Sequence, residues 1–146
     1  MTRRTSIFAT LLFVLLSCSQ GKDHSYKPGL GEFMTSIQIH HAKLWFAGKA
    51  QNWELADFEM HEISEDIDNI RAYCSERPEI VSLAMIDPAL SGLSSAIKQK
   101  NDSLFSESYL TLTNSCNSCH RTTNHAFNVV KIPDTPPFSN QEFKRR

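Results

Sequence analysis

The chain has 146 residues, 40% of them hydrophobic and 21% charged, with a formal net charge of −1. That is one domain's worth of sequence, and the composition excludes disordered, collagen-like and densely disulfide-bonded classes. A near-neutral balance leaves no basic footprint for nucleic acid, and only five Gly and six Pro favour helices over a many-turned β fold.

Residues 1–17, MTRRTSIFATLLFVLLS, pair a basic start at Arg3 and Arg4 with an apolar run from Ile7 to Leu16. The run is too short for a hydrocarbon core about 30 Å thick, and its basic flank marks a secretory signal. Leu15, Leu16, Ser17 and Cys18 resemble the lipobox of bacterial lipoproteins. The resemblance implies cleavage before Cys18, acylation of Cys18 and a lipid-anchored periplasmic protein. Ser19 in place of Asp implies sorting to the outer membrane rather than the inner one. A plain signal peptide with an incidental Cys18 is the alternative. Either way the chain is exported, and losing Arg3 and Arg4 with no acid leaves it mildly acidic.

Residues 18–28 are polar and aperiodic and read as a tether, with His24 inside it. The next segment, from about Gly29 to Gly48, carries Leu30, Phe33, Met34, Ile37, His41, Leu44 and Trp45 at helical spacing. A second, from about Asn52 to Cys74, steps through Ala56, Met60, Ile63, Ile67, Ile70 and Cys74, with Asn52 as N-cap. Pro78 ends it or follows closely. Asp87-Pro88 reads as an N-cap and first-turn proline, opening a third helix through Leu90, Leu93 and Ile97, extended upstream by Val81–Ile86. The fourth begins at Asp102 or Ser103 and aligns Phe105, Tyr109, Leu112, Cys116, Cys119 and His120. Short connections predict an all-α, antiparallel up-down-up-down four-helix bundle over 29–125, followed by an extended tail over 126–146.

Cys116, Asn117, Ser118, Cys119 and His120 form C-x-x-C-H, the attachment signature of c-type haem. Two thiols at this spacing can form thioethers with the haem vinyl groups, and the adjacent imidazole can reach the iron. An export signal agrees with attachment after translocation. The rival readings each lack a part. A thioredoxin-like dithiol wants a βαβ context, zinc wants a second ligand pair, and a Cys116–Cys119 disulfide leaves His120 unexplained.

A bundle bearing this motif on its last helix resembles the class II cytochromes c, the cytochrome c prime family. The resemblance rests on CNSCH and on architecture over roughly 29–125. It implies one covalent haem c, His120 as proximal ligand, a one-electron carrier role with protein redox partners, and a homodimer as one assembly. The family's aromatic and basic residues shortly after the His are missing here, where Arg121, Thr122, Thr123 and Asn124 follow.

In such a bundle the end of the last helix lies beside the start of the first, which sets His120 opposite Met34. Low-spin members of the family carry a Met near this point, so Met34 is the sixth-ligand candidate, with a purely packing role as the alternative. His41 is the runner-up, about 10 Å further along the same face and suited to a haem propionate. Gln38, one turn after Met34, is a candidate hydrogen-bonding residue at the pocket. If Met34 only packs, the resemblance implies a five-coordinate site binding nitric oxide or carbon monoxide. A small haem enzyme would instead need a distal proton donor, for which only His41 or Gln38 qualifies.

The remaining features have ordinary readings. His40 faces solvent, and His61 and His125 have weaker claims as ligands. Trp45, Phe46, Trp53 and Phe58 close one end of the bundle, and Cys74 is a buried free thiol. Glu54, Asp57, Glu59, Glu62, Glu65 and Asp66 form a solvated face, since a di-iron site needs E-x-x-H pairs that this helix lacks. Phe138 and Phe143 fold the tail back over the helices.

Overall fold

The computed structural model describes residues 26–145; the leader 1–17, Cys18 and His24 lie outside the described residues. Within them the chain is all-helical: α1 (Leu30–Lys49), α2 (Trp53–Tyr73), a 3-10 helix (Pro78–Ile86), α3 (Asp87–Lys98) and α4 (Asp102–Thr122). The periodic stripes are the buried faces. Ala56, Met60, Ile63, Ile67 and Ile70 of α2 and Cys74 at its C-cap all lie in the core with Leu93 and Ile97 of α3 and Phe105, Tyr109 and Leu112 of α4. Burying a large apolar side chain contributes about 1.5–3 kcal/mol, so these stripes are what hold the helices together.

Two turns set the helix spacing by the same device. Gln51 and Lys100 sit at φ 56° and 53°, in the left-handed region. At the first turn Gln51 N donates to Gly48 O and Asn52 N to Ala47 O; at the second, Lys100 N donates to Ile97 O and Asn101 N to Ala96 O. These are Schellman closures, which satisfy the last carbonyls of a helix. Each is followed at once by a cap, because Asn52 Oδ1 accepts from Leu55 N and Asn101 Oδ1 from Leu104 N. One asparagine therefore completes the closure of one helix and starts the next. The expected Asn52 cap is present, and α4 gains a matching cap at Asn101.

Gly48, near which the first helix is expected to end, lies one residue inside α1, where a Cβ would fall 2.1 Å from the Phe105 ring. It is the close approach of α1 to α4. Asp87 is the first residue of α3 and not its cap, because Asp87 Oδ1 accepts from Arg71 Nη2 at 2.5 Å and is committed to α2. The upstream extension of α3 is a 3-10 helix begun by Pro78, whose ring suits a first-turn position.

The run Pro78–Lys98 is long and apolar enough to cross a membrane by length and composition alone, with mean hydropathy 1.5. Leu83, Ile86, Leu90, Leu93 and Ile97 from it pack the core, while Val81 and Met85 are exposed. After α4 the chain is irregular and partly packed back. Phe143 is buried, its ring 5.7 Å from that of Phe46, and Asn52 Nδ2 donates to its carbonyl. Phe138 stays exposed, so of these two aromatics only Phe143 packs the tail onto the helices.

Candidate functional site

Helical spacing sets Cys116, Cys119 and His120 on one side of α4, since residues three and four apart share a face. All three line one narrow apolar slot, of about 40 Å³. Its other walls come from every helix: Met34, Ile37 and His41 of α1, Ile63 and Ile67 of α2, Leu83 and Ile86 of the 3-10 helix, and Leu90 of α3. A wider cleft of about 340 Å³, lined by both polar and apolar groups, adjoins it. Met34, Leu83, Cys119 and His120 line both, and Gln38, Arg77, Glu79 and His125 line only the wider one. Met34 and His120 thus meet at the same clefts, Gln38 stands at the outer one, and His41 at the inner one.

Both thiols are free in this structure, with no disulfide between them. Burial and the neighbouring Cys119 push the Cys116 thiol up to about 11, and burial also raises Cys119. They stand as neutral thiols facing an apolar wall. Cys119 Sγ has only a long contact, 3.8 Å to Ser82 O.

His120 is oriented from outside the helix. Asn124, at φ 62°, turns the chain after α4, with Asn124 N donating to Arg121 O and His125 N to His120 O, a third Schellman closure. The returning chain brings Asn128 O to 2.7 Å from His120 Nδ1, which therefore donates. Such a bond sets the tautomer with Nδ1 protonated and leaves the Nε2 lone pair for a metal. Among the described residues no protein group bonds His120 Nε2.

His41 is buried, with both ring nitrogens engaged. Nδ1 lies 2.9 Å from Tyr109 Oη and Nε2 lies 3.0 Å from Thr113 Oγ1, while Tyr109 Oη also donates to His41 O. The ring stacks on Tyr109 at 4.5 Å. Burial lowers its pKa to about 4, so it is neutral, and burial raises that of Tyr109. With both nitrogens held by α4, His41 is a joint between α1 and α4 that also forms part of the slot wall.

Two expectations on the α1–α2 side are overturned. Glu59 belongs to no solvated face: it is fully buried, with Oε2 2.7 Å from His40 Nδ1 and Oε1 2.6 Å from Lys43 Nζ. His40 accordingly points at Glu59 rather than at solvent. A buried carboxylate survives only when paired, and both partners come from α1. Glu54, Asp57 and Glu65 are exposed as expected. His61 is exposed beside Glu65, and His125 Nδ1 donates to Thr123 O.

The sequence reading missed Asn117, Tyr109 as a hydrogen-bonding residue, and Glu59. Tyr109 carried a usable signal, since a tyrosine on a buried stripe needs a partner for its hydroxyl. Among the described residues no group of three or more His, Cys, Asp or Glu is placed to hold a bare metal ion. The clefts instead present two thiols, one thioether and the imidazoles of His41, His120 and His125. In comparisons with known proteins, no family model, no curated protein and no solved structure matches the chain.

Proposed function

We propose that the chain is a monohaem c-type cytochrome of class II type, an electron carrier and not an enzyme, lipid-anchored through Cys18 in the periplasm. One observation carries the reading: Cys116, Cys119 and His120 line one apolar slot, with His120 already turned by Asn128 O so that Nε2 is left for a metal. The donor set fits haem c, and no second thiol pair offers the alternative of zinc. The wider cleft falls within the range of about 300–1,000 Å³ usual for cofactor sites. The apolar slot is smaller, so loading requires its walls to part.

When bound, the haem supplies a one-electron Fe(III)/Fe(II) couple. Cys116 and Cys119 would hold it to α4 as thioethers, and His120 would provide a nitrogen ligand. Met34, shared by both clefts, would offer the iron a soft thioether, which favours the ferrous state and a higher potential. The apolar walls exclude water from the couple. Gln38 and His125 line the wider cleft, and His41 stays a wall residue because both of its nitrogens are occupied.

The same reading takes the four helices as an up-down-up-down bundle. It is supported by the order of contacts between α1 and α4, from Lys49–Asp102 through His41–Thr113 to Met34 and His120 at the shared clefts. Anchoring at the outer membrane would hold the carrier on a surface where its protein redox partners meet it at high effective concentration.

A second reading is a five-coordinate protein that binds nitric oxide or carbon monoxide. The wide cleft opening beside Met34 and Gln38 favours it, because a small ligand has a route to that side of His120.

The test is absorption spectroscopy of protein made with the c-type maturation machinery. Covalent haem that is lost in C116A/C119A supports the attachment. A low-spin spectrum whose long-wavelength ferric band disappears in Met34→Ala supports the carrier. A high-spin spectrum that shifts with carbon monoxide selects the gas-binding reading. No covalent haem in the parent chain overturns both.

A further inference from the structure

We propose that Asn117 is a positioning residue for His120, acting through the return segment after α4. This inference rests on the haem reading for its purpose but not for its geometry. Asn117 occupies a variable position of C-x-x-C-H, where attachment chemistry asks for no particular side chain. Its carboxamide nevertheless makes two bonds to one residue: Nδ2 donates to Val130 O, and Oδ1 accepts from Val130 N, both at 2.8 Å. A carboxamide has the donor and acceptor of a peptide group, so Asn117 pairs with Val130 as a neighbouring strand would.

Between the turn at Asn124 and Ile132, which packs against the core, the segment has little else to hold it near α4. Phe127 and Val129 are 83% and 72% exposed, so they bury almost no apolar surface. Asn128 itself is exposed, but its carbonyl faces α4, as do the backbone N–H and carbonyl of Val130 two residues on. Asn128 N donates to His125 O at 2.9 Å, which closes the turn and points Asn128 O at His120 Nδ1. Asn117 fastens the far side of that turn. The carbonyl that sets the His120 tautomer is thus pinned by a side chain one helical turn before His120 on the same helix.

The chemistry follows from the bond. A carbonyl accepting from Nδ1–H makes the imidazole a better donor at Nε2, which favours ferric over ferrous iron. Loosening the segment should therefore raise the reduction potential of the loaded protein. It should also let His120 sample both tautomers in the unloaded chain.

The experiment uses the full chain in both forms. In unloaded protein, nitrogen NMR of the His120 ring should show the Nδ1–H tautomer, and the Val130 amide should exchange far more slowly than those of Phe127 and Val129. In Asn117→Ala, with helix content unchanged, the tautomers should mix and the Val130 protection be lost. Asn117→Asp keeps the bond from Val130 N and loses the other, so it should fall between the two and serves if the alanine variant does not fold. In loaded protein the potential should rise in the order parent, N117D, N117A. A Val130 amide that exchanges like its exposed neighbours in the parent chain overturns the proposal without any variant. So does an unchanged His120 tautomer in N117A. If the parent takes up no haem while the NMR changes appear, the haem reading fails and the clamp stands.

Discussion

The two ends of the helical body are built on opposite principles. At one, Trp45, Trp53, Phe105 and Tyr109 fill the space between α1, α2 and α4, with Phe105 centroids 5.9–6.2 Å from the other three. Gly48 lets α1 come so close that any side chain there would strike the Phe105 ring. At the other, the same helices leave the slot and cleft around Met34, Cys116 and His120. Close packing fixes the spacing at the ring-filled end, and the helices then hold the thiols and imidazole against a gap that they do not fill themselves. His41 stands at the seam, stacked on Tyr109 and lining the slot.

That seam gives the largest expected effect. His41 has a folded pKa near 4 against an ordinary 6.5, so the unfolded chain binds its proton first as pH falls. Its contribution is fully present above pH 6.5, declines between 6.5 and 4, and levels off below, for a total loss of about 3 kcal/mol. Urea midpoints from pH 7 to 4 measure it. His41→Phe removes the titrating group, so the parent should lose about 3 kcal/mol relative to the variant between pH 7 and 4. Parallel curves would show that His41 is not buried neutral.

The contrast between the ends is tested directly by one substitution in each. Gly48→Ala forces a methyl into a ring cluster that has no room, and overpacking of this kind costs about 1–3 kcal/mol. Met34 is only partly buried beside open space, so Met34→Ala in unloaded protein should cost less than about 1 kcal/mol, below the range for fully buried methionines. Denaturant midpoints decide it. Equal losses would mean that the cleft end is as tightly packed as the ring end.

The smallest effect concerns the turns that set the spacing. Lys100 holds a left-handed conformation that only glycine adopts without strain. Lys100→Gly should raise stability by about 0.5–1 kcal/mol, the net of relieved strain and added unfolded-state entropy. A loss would mean that the Lys100 side chain contributes more than its backbone costs.

Much of this was legible from residue order. The α2 stripe, the Asn52 cap, the Cys74 burial and the shared face of Cys116, Cys119 and His120 all follow from helical periodicity, which is a local property. The turns at Gln51 and Lys100 were harder to read because neither uses glycine. Glu59 was misread because periodicity places a residue on a face but does not say what stands opposite. Here the opposing residues are Lys43 and His40, sixteen and nineteen positions earlier.

The sequence by itself determined the all-helical class and the side-chain chemistry of the C-x-x-C-H face, because both depend on spacing within one helix. Only the tertiary structure decided which groups meet that face. Met34 reaches it because α1 packs on α4. His41 joins the same slot only as a wall, because Tyr109 and Thr113 occupy both of its nitrogens. Asn128 orients His120 because the chain turns back at Asn124 and Asn117 holds it there. These are contacts between separate segments, and a hydrogen bond depends on distance and angle in space, which no local pattern of residues encodes.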